Sequence, residues 1–80
     1  MIMPTVMVVD GFRFHFFANE GPRAHIHATK GRGTAKIWLD DVSFAKWRNL
    51  TKAEQRRILK IVTEHRVELQ KAWDEFFTPK

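Results

Sequence analysis

The chain has 80 residues and no cysteine, so we expect a single domain without disulfides or thiolate-bound metal. Hydrophobic residues make up 44% of it, which favours a folded protein over a disordered one. The formal net charge is +5, which favours acidic partners, either nucleic acid or an acidic protein. The longest apolar run, Val6 to Val9, is too short to span a bilayer and no signal-peptide pattern opens the chain, so we expect a cytoplasmic protein without membrane contact.

Two short strands are predicted at the start of the chain. Thr5 to Val9 is a β-branched run, and Phe12 to Phe16 alternates apolar with polar residues. The intervening Asp10-Gly11 predicts a two-residue hairpin turn, because both residue types tolerate positive φ. This turn would pair Val9 with Phe12, Met7 with Phe14 and Thr5 with Phe16. The phenylalanines would then share one face of the hairpin, and the other face would carry Arg13 and His15.

A second hairpin is predicted after a loop at Asn19 to Arg23, where Asn, Gly and Pro are typical turn residues. The segments Ala24 to Thr29 and Thr34 to Leu39 both alternate apolar with polar residues. They are separated by the basic, glycine-rich turn Lys30-Gly31-Arg32-Gly33. A four-residue loop would pair His27 with Lys36 and His25 with Trp38. We expect this register because it matches the apolar sides of both strands.

Helices are predicted for the rest of the chain. Val42 to Leu50 carries apolar residues at mixed spacing, which we interpret as a short helix. Thr51-Lys52-Ala53-Glu54 is a capping box, and the apolar stripe that follows predicts one long helix ending near Phe77. His65 falls in this stripe, where a histidine is more often a packed residue than a ligand.

The predicted fold is therefore α+β. It has a four-stranded, mostly antiparallel sheet made of two hairpins, followed by a short helix and a long C-terminal helix on one face. The long helix would exceed the length of the small sheet that it covers. For this reason we also predict a homodimer.

Several motifs of the chain resemble those of one known family. They are Met3-Pro4-Thr5-Val6, Asp10-Gly11, Asn19-Glu20, His25-Ile26-His27, Ala35-Lys36-Ile37-Trp38-Leu39, Glu64-His65 and Ala72-Trp73. Over nearly its whole length the chain resembles the small bacterial family filed as domain of unknown function 4160. The resemblance implies an association with toxin–antitoxin-like gene pairs and no settled activity. The chain departs from the family's proline run and extra histidine before His25, since those places hold Gly21, Arg23 and Ala24 and only Pro22 is retained.

The predicted polar face of the sheet carries side chains that suit acid–base cleavage of RNA. Imidazoles titrate near neutral pH, and two of them could exchange protons with a ribose hydroxyl and a leaving oxygen. The candidate catalytic residues of a metal-independent ribonuclease are His25, His27 and His15. Arg23 or Lys36 would stabilise the charge of the phosphorane.

The same three imidazoles could instead hold zinc, with Glu20 as a carboxylate ligand or base. A His-x-His pair on a strand is common without metal, however, and second-shell partners cannot be identified from sequence. We therefore predict neither a metal nor a cofactor.

Candidate contacts to nucleic acid lie on the same face and in the turn beside it. Trp38 or Phe17 could stack on bases, and Arg13 and Lys36 could hold phosphates. The turn adds the charges of Lys30 and Arg32. We predict nucleic acid as the partner, RNA before DNA.

Three interpretations of this face stay open. The first is a toxin–antitoxin-type protein that binds nucleic acid, with or without RNA cleavage. The second is a non-enzymatic module that binds a small acidic, antitoxin-like protein. In the third, the face forms a dimer interface that encloses the histidines.

Overall fold

A computed structural model describes residues 5–16 and 23–77 of the chain. In it a five-stranded antiparallel sheet precedes two helices. The elements are β1 Thr5–Val9, β2 Phe12–His15, β3 His25–Lys30, β4 Gly33–Trp38, β5 Ser43–Arg48, α1 Lys52–Glu64 and α2 Arg66–Phe77. The order across the sheet is β1-β2-β3-β4-β5, so each strand pairs with its neighbours in sequence. The α+β class and the antiparallel sheet are confirmed, whereas the number of strands and the form of the helices differ from the prediction.

The β1–β2 hairpin turns at Asp10 and Gly11, as predicted. Their φ angles of 52° and 81° lie in the left-handed region that this turn requires. Two predicted pairs are confirmed, Val9 with Phe12 and Met7 with Phe14. The third is wrong, because a register shift in β1 leaves Thr5 opposite His15 rather than Phe16.

The β3–β4 hairpin has the predicted register. Both expected pairs are present, His27 with Lys36 and His25 with Trp38. The turn is tighter than predicted, since Lys30 pairs with Gly33 and only two residues lie between them. Gly31 is one of these two residues and has a φ of 58°.

Residues 43–48 form an edge strand, so the short helix predicted for residues 42–50 is wrong. The turn before β5 contains neither Gly nor Pro, yet Val42 has a φ of 52°, which is unusual for a β-branched residue. A register shift in the β4–β5 pairing, between Lys36 and Ile37, interrupts the period-two pattern. Most of β5 is also exposed, which weakens the contrast between its two faces. The mixed spacing that suggested a helix therefore belongs to an irregular edge strand.

The predicted long helix is two helices that meet at His65. Its capping box is present: the Thr51 hydroxyl accepts from the Glu54 N–H at 3.1 Å, and the Glu54 carboxylate accepts from the Thr51 N–H at 2.9 Å. At His65 the φ and ψ angles are −110° and 16°, outside helical values, and α1 ends there. His65 is half-buried, and its Nδ1 lies 3.4 Å from a Glu68 oxygen. No helix in the described ranges is long and apolar enough to cross a membrane.

The hydrophobic core lies between one face of the sheet and the two helices. Its most deeply buried side chains include Phe12, Phe14, Phe16, Ile26, Ile37, Leu39, Ile58, Ile61, Val62 and Leu69. Since the β2 phenylalanines are buried while Arg13 is exposed, the predicted orientation of the first hairpin is confirmed. The opposite face of the sheet is left to the polar side chains.

Position 33 requires a glycine for steric reasons and not because of its backbone conformation. A Cβ atom there would lie 2.4 Å from Cδ2 of Leu50 and 3.0 Å from the carbonyl oxygen of Asn49. Replacing Gly33 by alanine or asparagine should lower the free energy of unfolding by about 1–3 kcal/mol, the usual cost of overpacking. Urea denaturation measures this difference.

Gly31 provides the matched control. A Cβ atom there would meet nothing within 4 Å, so only its positive φ is restrictive, and asparagine tolerates that conformation. Gly31→Asn should therefore stay within about 0.5 kcal/mol of the wild type. Equal losses in Gly31→Asn and Gly33→Asn would contradict the steric explanation.

Candidate functional site

The sheet face opposite the buried phenylalanines of β2 carries polar side chains in cross-strand rows. Directly paired residues on antiparallel strands project to the same face. The observed pairings place Arg13, Thr29, Thr34 and Arg48 in one row, His15, His27, Lys36 and Lys46 in the next, and His25, Trp38 and Ser43 in a third. We call the surface formed by these three rows the polar face.

The charged side chains in these rows are all basic. Arg13, Lys46 and Arg48 are exposed. Within residues 5–16 and 23–77 none of these three forms an ion pair. Elsewhere in the fold a carboxylate neutralises a cation. For example, Arg57 of α1 pairs with Asp10 at the β1–β2 turn. These three side chains therefore bring positive charge to the polar face that no described carboxylate offsets.

The three candidate catalytic histidines adjoin one another but differ in access. The rings of His15 and His27 stack with centroids 5.7 Å apart, and those of His27 and His25 meet edge to face at 5.2 Å. His15 is 6% exposed and His25 is 1% exposed, whereas His27 is half-buried. Since a proton-transferring group must come within hydrogen-bond reach of its substrate, His27 is the best placed of the three.

His25 is held by a hydrogen bond and by aromatic contacts. Its Nδ1 lies 2.8 Å from the carbonyl oxygen of Arg23, which can only accept, so Nδ1 donates. Its ring lies 5.8 Å from that of Trp38 and 4.9 Å from that of Trp73 in α2. His25 thus connects the third row of the polar face to α2, which is a packing role.

Burial lowers the pKa of His15. Loss of hydration disfavours the imidazolium most, and the nearby positive charge of Arg13 acts in the same direction. A backbone hydrogen bond at Arg13 opposes these effects in part. His15 is therefore neutral at neutral pH and adds no charge to the polar face.

Arg23 belongs to a network that joins the start of β3 to the β4–β5 turn. Its guanidinium donates two hydrogen bonds to Asp40, at 2.9 and 3.0 Å, and lies 4.1 Å from the centre of the Trp38 ring. The hydrogen bonds raise the pKa of Arg23 and lower that of Asp40. Arg66 of α2 donates to the carbonyl oxygens of Leu39 and Asp40. To stabilise a phosphorane, Arg23 would have to break its hydrogen bonds to Asp40 and form new ones to the phosphate.

The candidate nucleic-acid contacts are divided between the two sides of the sheet. Arg13, Lys36 and Trp38 lie on the polar face. Nζ of Lys36 is 4.9 Å from the centre of the Trp38 ring. Lys30 lies on the other side, with its Nζ 4.9 Å from the centre of the Phe12 ring. Arg32 is exposed in the β3–β4 turn.

Lys46 and Arg48 extend the polar face to the edge of the sheet. With His27 and Thr34 they line a groove of about 350 Å³, to which Ala35 and Trp47 also contribute. The helix predicted for residues 42–50 concealed this arrangement. In the sequence, the alternation of basic and aromatic residues from 46 to 48 would have indicated a strand with two cations on one face.

The rings of His15 and His27 stack, and those of His27 and His25 meet edge to face, so the three imidazoles lie in succession. Within residues 5–16 and 23–77, no three His, Asp or Glu side chains are arranged to hold a metal ion. Glu20, the suggested carboxylate ligand or base, lies outside the described residues. Phe17, an alternative base-stacking residue, lies outside them as well.

The sequence from Gly11 to Asp74 matches the family model described as Domain of unknown function (DUF4160). The chain belongs to this family. The match covers every described residue of the three rows and most of both helices, so the DUF4160 region includes the polar face. Neither a curated protein nor a solved structure gives a match.

The lowered pKa of His15 predicts a loss of stability in mild acid. Between its folded-state pKa and the ordinary value of 6.5, the unfolded chain binds a proton that the folded chain excludes. The His15 contribution to the free energy of unfolding is therefore complete above 6.5 and decreases as the pH falls through that value. Urea denaturation at about pH 7.5 and about pH 5.5 measures the decrease.

His15→Gln should make the free energy of unfolding less dependent on pH in this range. Arg13→Gln should do so more weakly, because it removes only the secondary cause of the lowered pKa. If His15→Gln shows the same pH dependence as the wild type, His15 does not control this behaviour.

Proposed function

We propose that this DUF4160 protein binds single-stranded RNA through its polar face, as a toxin–antitoxin-type protein. The observation that carries the proposal is the set of cations, Arg13, Lys46 and Arg48, that no described carboxylate neutralises. Contacts between basic side chains and phosphates supply most of the sequence-independent affinity for nucleic acids. Such contacts are available wherever unpaired cations share one open surface.

The dimensions of the polar face suit an extended nucleic-acid strand. Arg13 lies on β2 and Arg48 on β5, three strand spacings or about 14 Å away across the sheet. Between them the same row carries the hydroxyls of Thr29 and Thr34. Hydroxyl side chains can contact the ribose 2′-hydroxyl, which is the group that distinguishes RNA from DNA.

Trp38 supplies an aromatic surface at one end of the polar face. The indole is half-buried and the guanidinium of Arg23 covers part of it. Unstacked bases pack on aromatic rings and on guanidinium planes, so the pair can act as a stacking platform. This feature favours a single strand, in which the bases are exposed, over a duplex.

The geometry supports RNA binding better than RNA cleavage. Acid–base cleavage needs two groups that reach the substrate, and His15 and His25 are both buried. His27 alone of the three histidines lines the groove. We therefore propose binding as the main activity and treat cleavage as a separate outcome of the experiment.

A small acidic, antitoxin-like protein is the second candidate partner. The same cations would attract its carboxylates. Trp47, which is 48% exposed on the edge strand, offers the kind of aromatic anchor that is enriched at protein interfaces.

Self-association is a separate proposal, and the form that we predict is a homodimer. The helix that motivated it is divided at His65, but α2 leaves Val67 and Phe76 exposed. Apolar side chains on an outer helix surface can pack against a second copy. Sedimentation at high protein concentration tests this, and a monomer there would refute it.

The RNA proposal predicts a loss of affinity when charge is removed from the β5 end of the polar face. Lys46→Gln/Arg48→Gln should weaken binding of a single-stranded RNA of about 10 nucleotides by tenfold or more at about 50 mM salt. The slope of log affinity against log salt should decrease by about 0.7 for each phosphate that the variant no longer neutralises. Fluorescence anisotropy measures both quantities, with DNA of the same sequence in parallel.

Lys52→Gln/Lys71→Gln is the matched control, since it removes the same charge from exposed positions on the helices. It should leave the salt slope nearly unchanged. Equal decreases in affinity for the two double variants would indicate attraction by overall charge and would contradict a polar-face site. If RNA and DNA both fail to bind at low salt, the acidic protein becomes the better candidate.

RNA cleavage is tested on the same preparations. Release of shorter fragments that is abolished in His27→Ala and in His25→Ala, with folding intact, would indicate a histidine-dependent ribonuclease. Binding without fragments would indicate a binding protein, which the burial of His15 and His25 favours.

A further inference from the structure

We propose that the groove lined by His27, Thr34, Lys46 and Arg48 binds a terminal phosphate of RNA. The protein would then distinguish RNA ends that carry a phosphate monoester from ends that carry a hydroxyl. This inference rests on the proposed RNA binding and gives one part of the polar face a specific ligand.

The positions of the lining residues place two cations and a hydroxyl around one space. Lys46 and Arg48 are two residues apart on β5, about 7 Å along the strand, and project to the same face. Thr34 is directly opposite Arg48 on β4. The groove volume of about 350 Å³ is sufficient for a phosphate with its attached ribose. The long, flexible side chains of Lys46 and Arg48, together with the Thr34 hydroxyl, can therefore reach one phosphate group.

Lys46 and Arg48 have no described anionic partner, in contrast to two arginines elsewhere in the fold. Arg23 is paired with Asp40 and Arg57 with Asp10. No carboxylate lines the groove within residues 5–16 and 23–77, and neither Lys46 nor Arg48 forms an ion pair there. Two neighbouring unpaired cations repel each other, and an anion between them removes the repulsion.

The shape of the groove favours the end of a chain over its middle. On the inner side His27 forms the wall, because the almost fully buried His15 stacks against it. On the outer side β5 is the last strand of the sheet, and Lys46 and Arg48 are exposed there. A ligand that enters from the sheet edge therefore meets the His27 ring, which is backed by His15.

The charge of the groove also favours a phosphate monoester. A terminal monoester carries about 1.5 to 2 negative charges at pH 7, whereas each internal diester carries one. Lys46 and Arg48 together supply two positive charges. Recognition by the guanidinium adds geometric specificity, because its donors can engage two phosphate oxygens at once.

The test compares three RNA oligomers of one sequence that end in a 5′-phosphate, a 3′-phosphate or hydroxyls only. We expect the wild-type protein to bind one phosphorylated form about tenfold more tightly than the hydroxyl form. Lys46→Gln/Arg48→Gln should reduce this preference below about twofold. Thr34→Val, which removes only a hydroxyl from an exposed strand position, should reduce it in part.

Arg13→Gln is the control within the same face. Arg13 lies outside the groove, at the opposite end of the row that ends in Arg48. Its loss should weaken binding of all three oligomers while the preference for phosphate is retained. A preference that decreases equally in Arg13→Gln and in Lys46→Gln/Arg48→Gln would overturn the proposal.

The subsite and the proposed function can fail independently. Equal affinity for all three RNA oligomers would overturn the phosphate subsite without contradicting the proposed RNA binding. If no RNA binds, titration with inorganic phosphate, followed by NMR of the backbone amides of β4 and β5, tests the groove alone. Saturable shifts at Thr34, Lys46 and Arg48 would support the subsite without RNA, and their absence would overturn it.

Discussion

The register of the antiparallel sheet is the constraint on which both the core and the polar face depend. Because side chains alternate along a strand, a slip of one residue would exchange the two faces of that strand. In β2 the observed register buries Phe12 and Phe14 and leaves Arg13 outside. The burial of apolar surface therefore fixes the cations in their rows, although the cations themselves contribute little to stability. Lys46 and Arg48 share this dependence, because they follow the register of β4.

Long side chains from the helices fix the turns at both ends of the sheet. Arg57 of α1 pairs with Asp10 at the β1–β2 turn, and Arg66 of α2 donates to carbonyl oxygens at the β4–β5 turn. Exposed ion pairs add little free energy individually. Their effect here is geometric, because each holds a turn at a set position over the helix layer. Arg23 adds a third connection through Asp40, which places it beside Trp38 as well.

Sequence patterns predicted the parts of the structure in which local chemistry and burial agree. The Asp10-Gly11 turn, the β3–β4 register and the capping box at Thr51 are each determined by a few neighbouring residues, and all three are confirmed. The edge strand was missed because its turn depends on a left-handed Val42, which no residue preference signals. The division at His65 was missed because the apolar stripe continues through it, without Gly or Pro.

The candidate site was predictable to a similar extent. Alternation placed His25 and His27 on one side of a strand, but it could not show that packing against Trp73 would bury His25. That burial depends on contacts distant in sequence. Lys46 and Arg48 are evident in the sequence as basic residues, yet their place on the polar face depends on β5 being a strand. The groove therefore follows from tertiary structure and not from any motif.

The position of β5 at the sheet edge has a consequence for assembly. An edge strand exposes unpaired backbone groups that can pair with another molecule, and basic side chains and irregular pairing are common protections against it. β5 has both, since Lys46 and Arg48 lie on it and its pairing with β4 contains a register shift. The cations that we propose to bind RNA would thus also keep two sheets apart by electrostatic repulsion. Neutralising them, by substitution or by a bound polyanion, removes that barrier and favours edge-to-edge growth of the sheet.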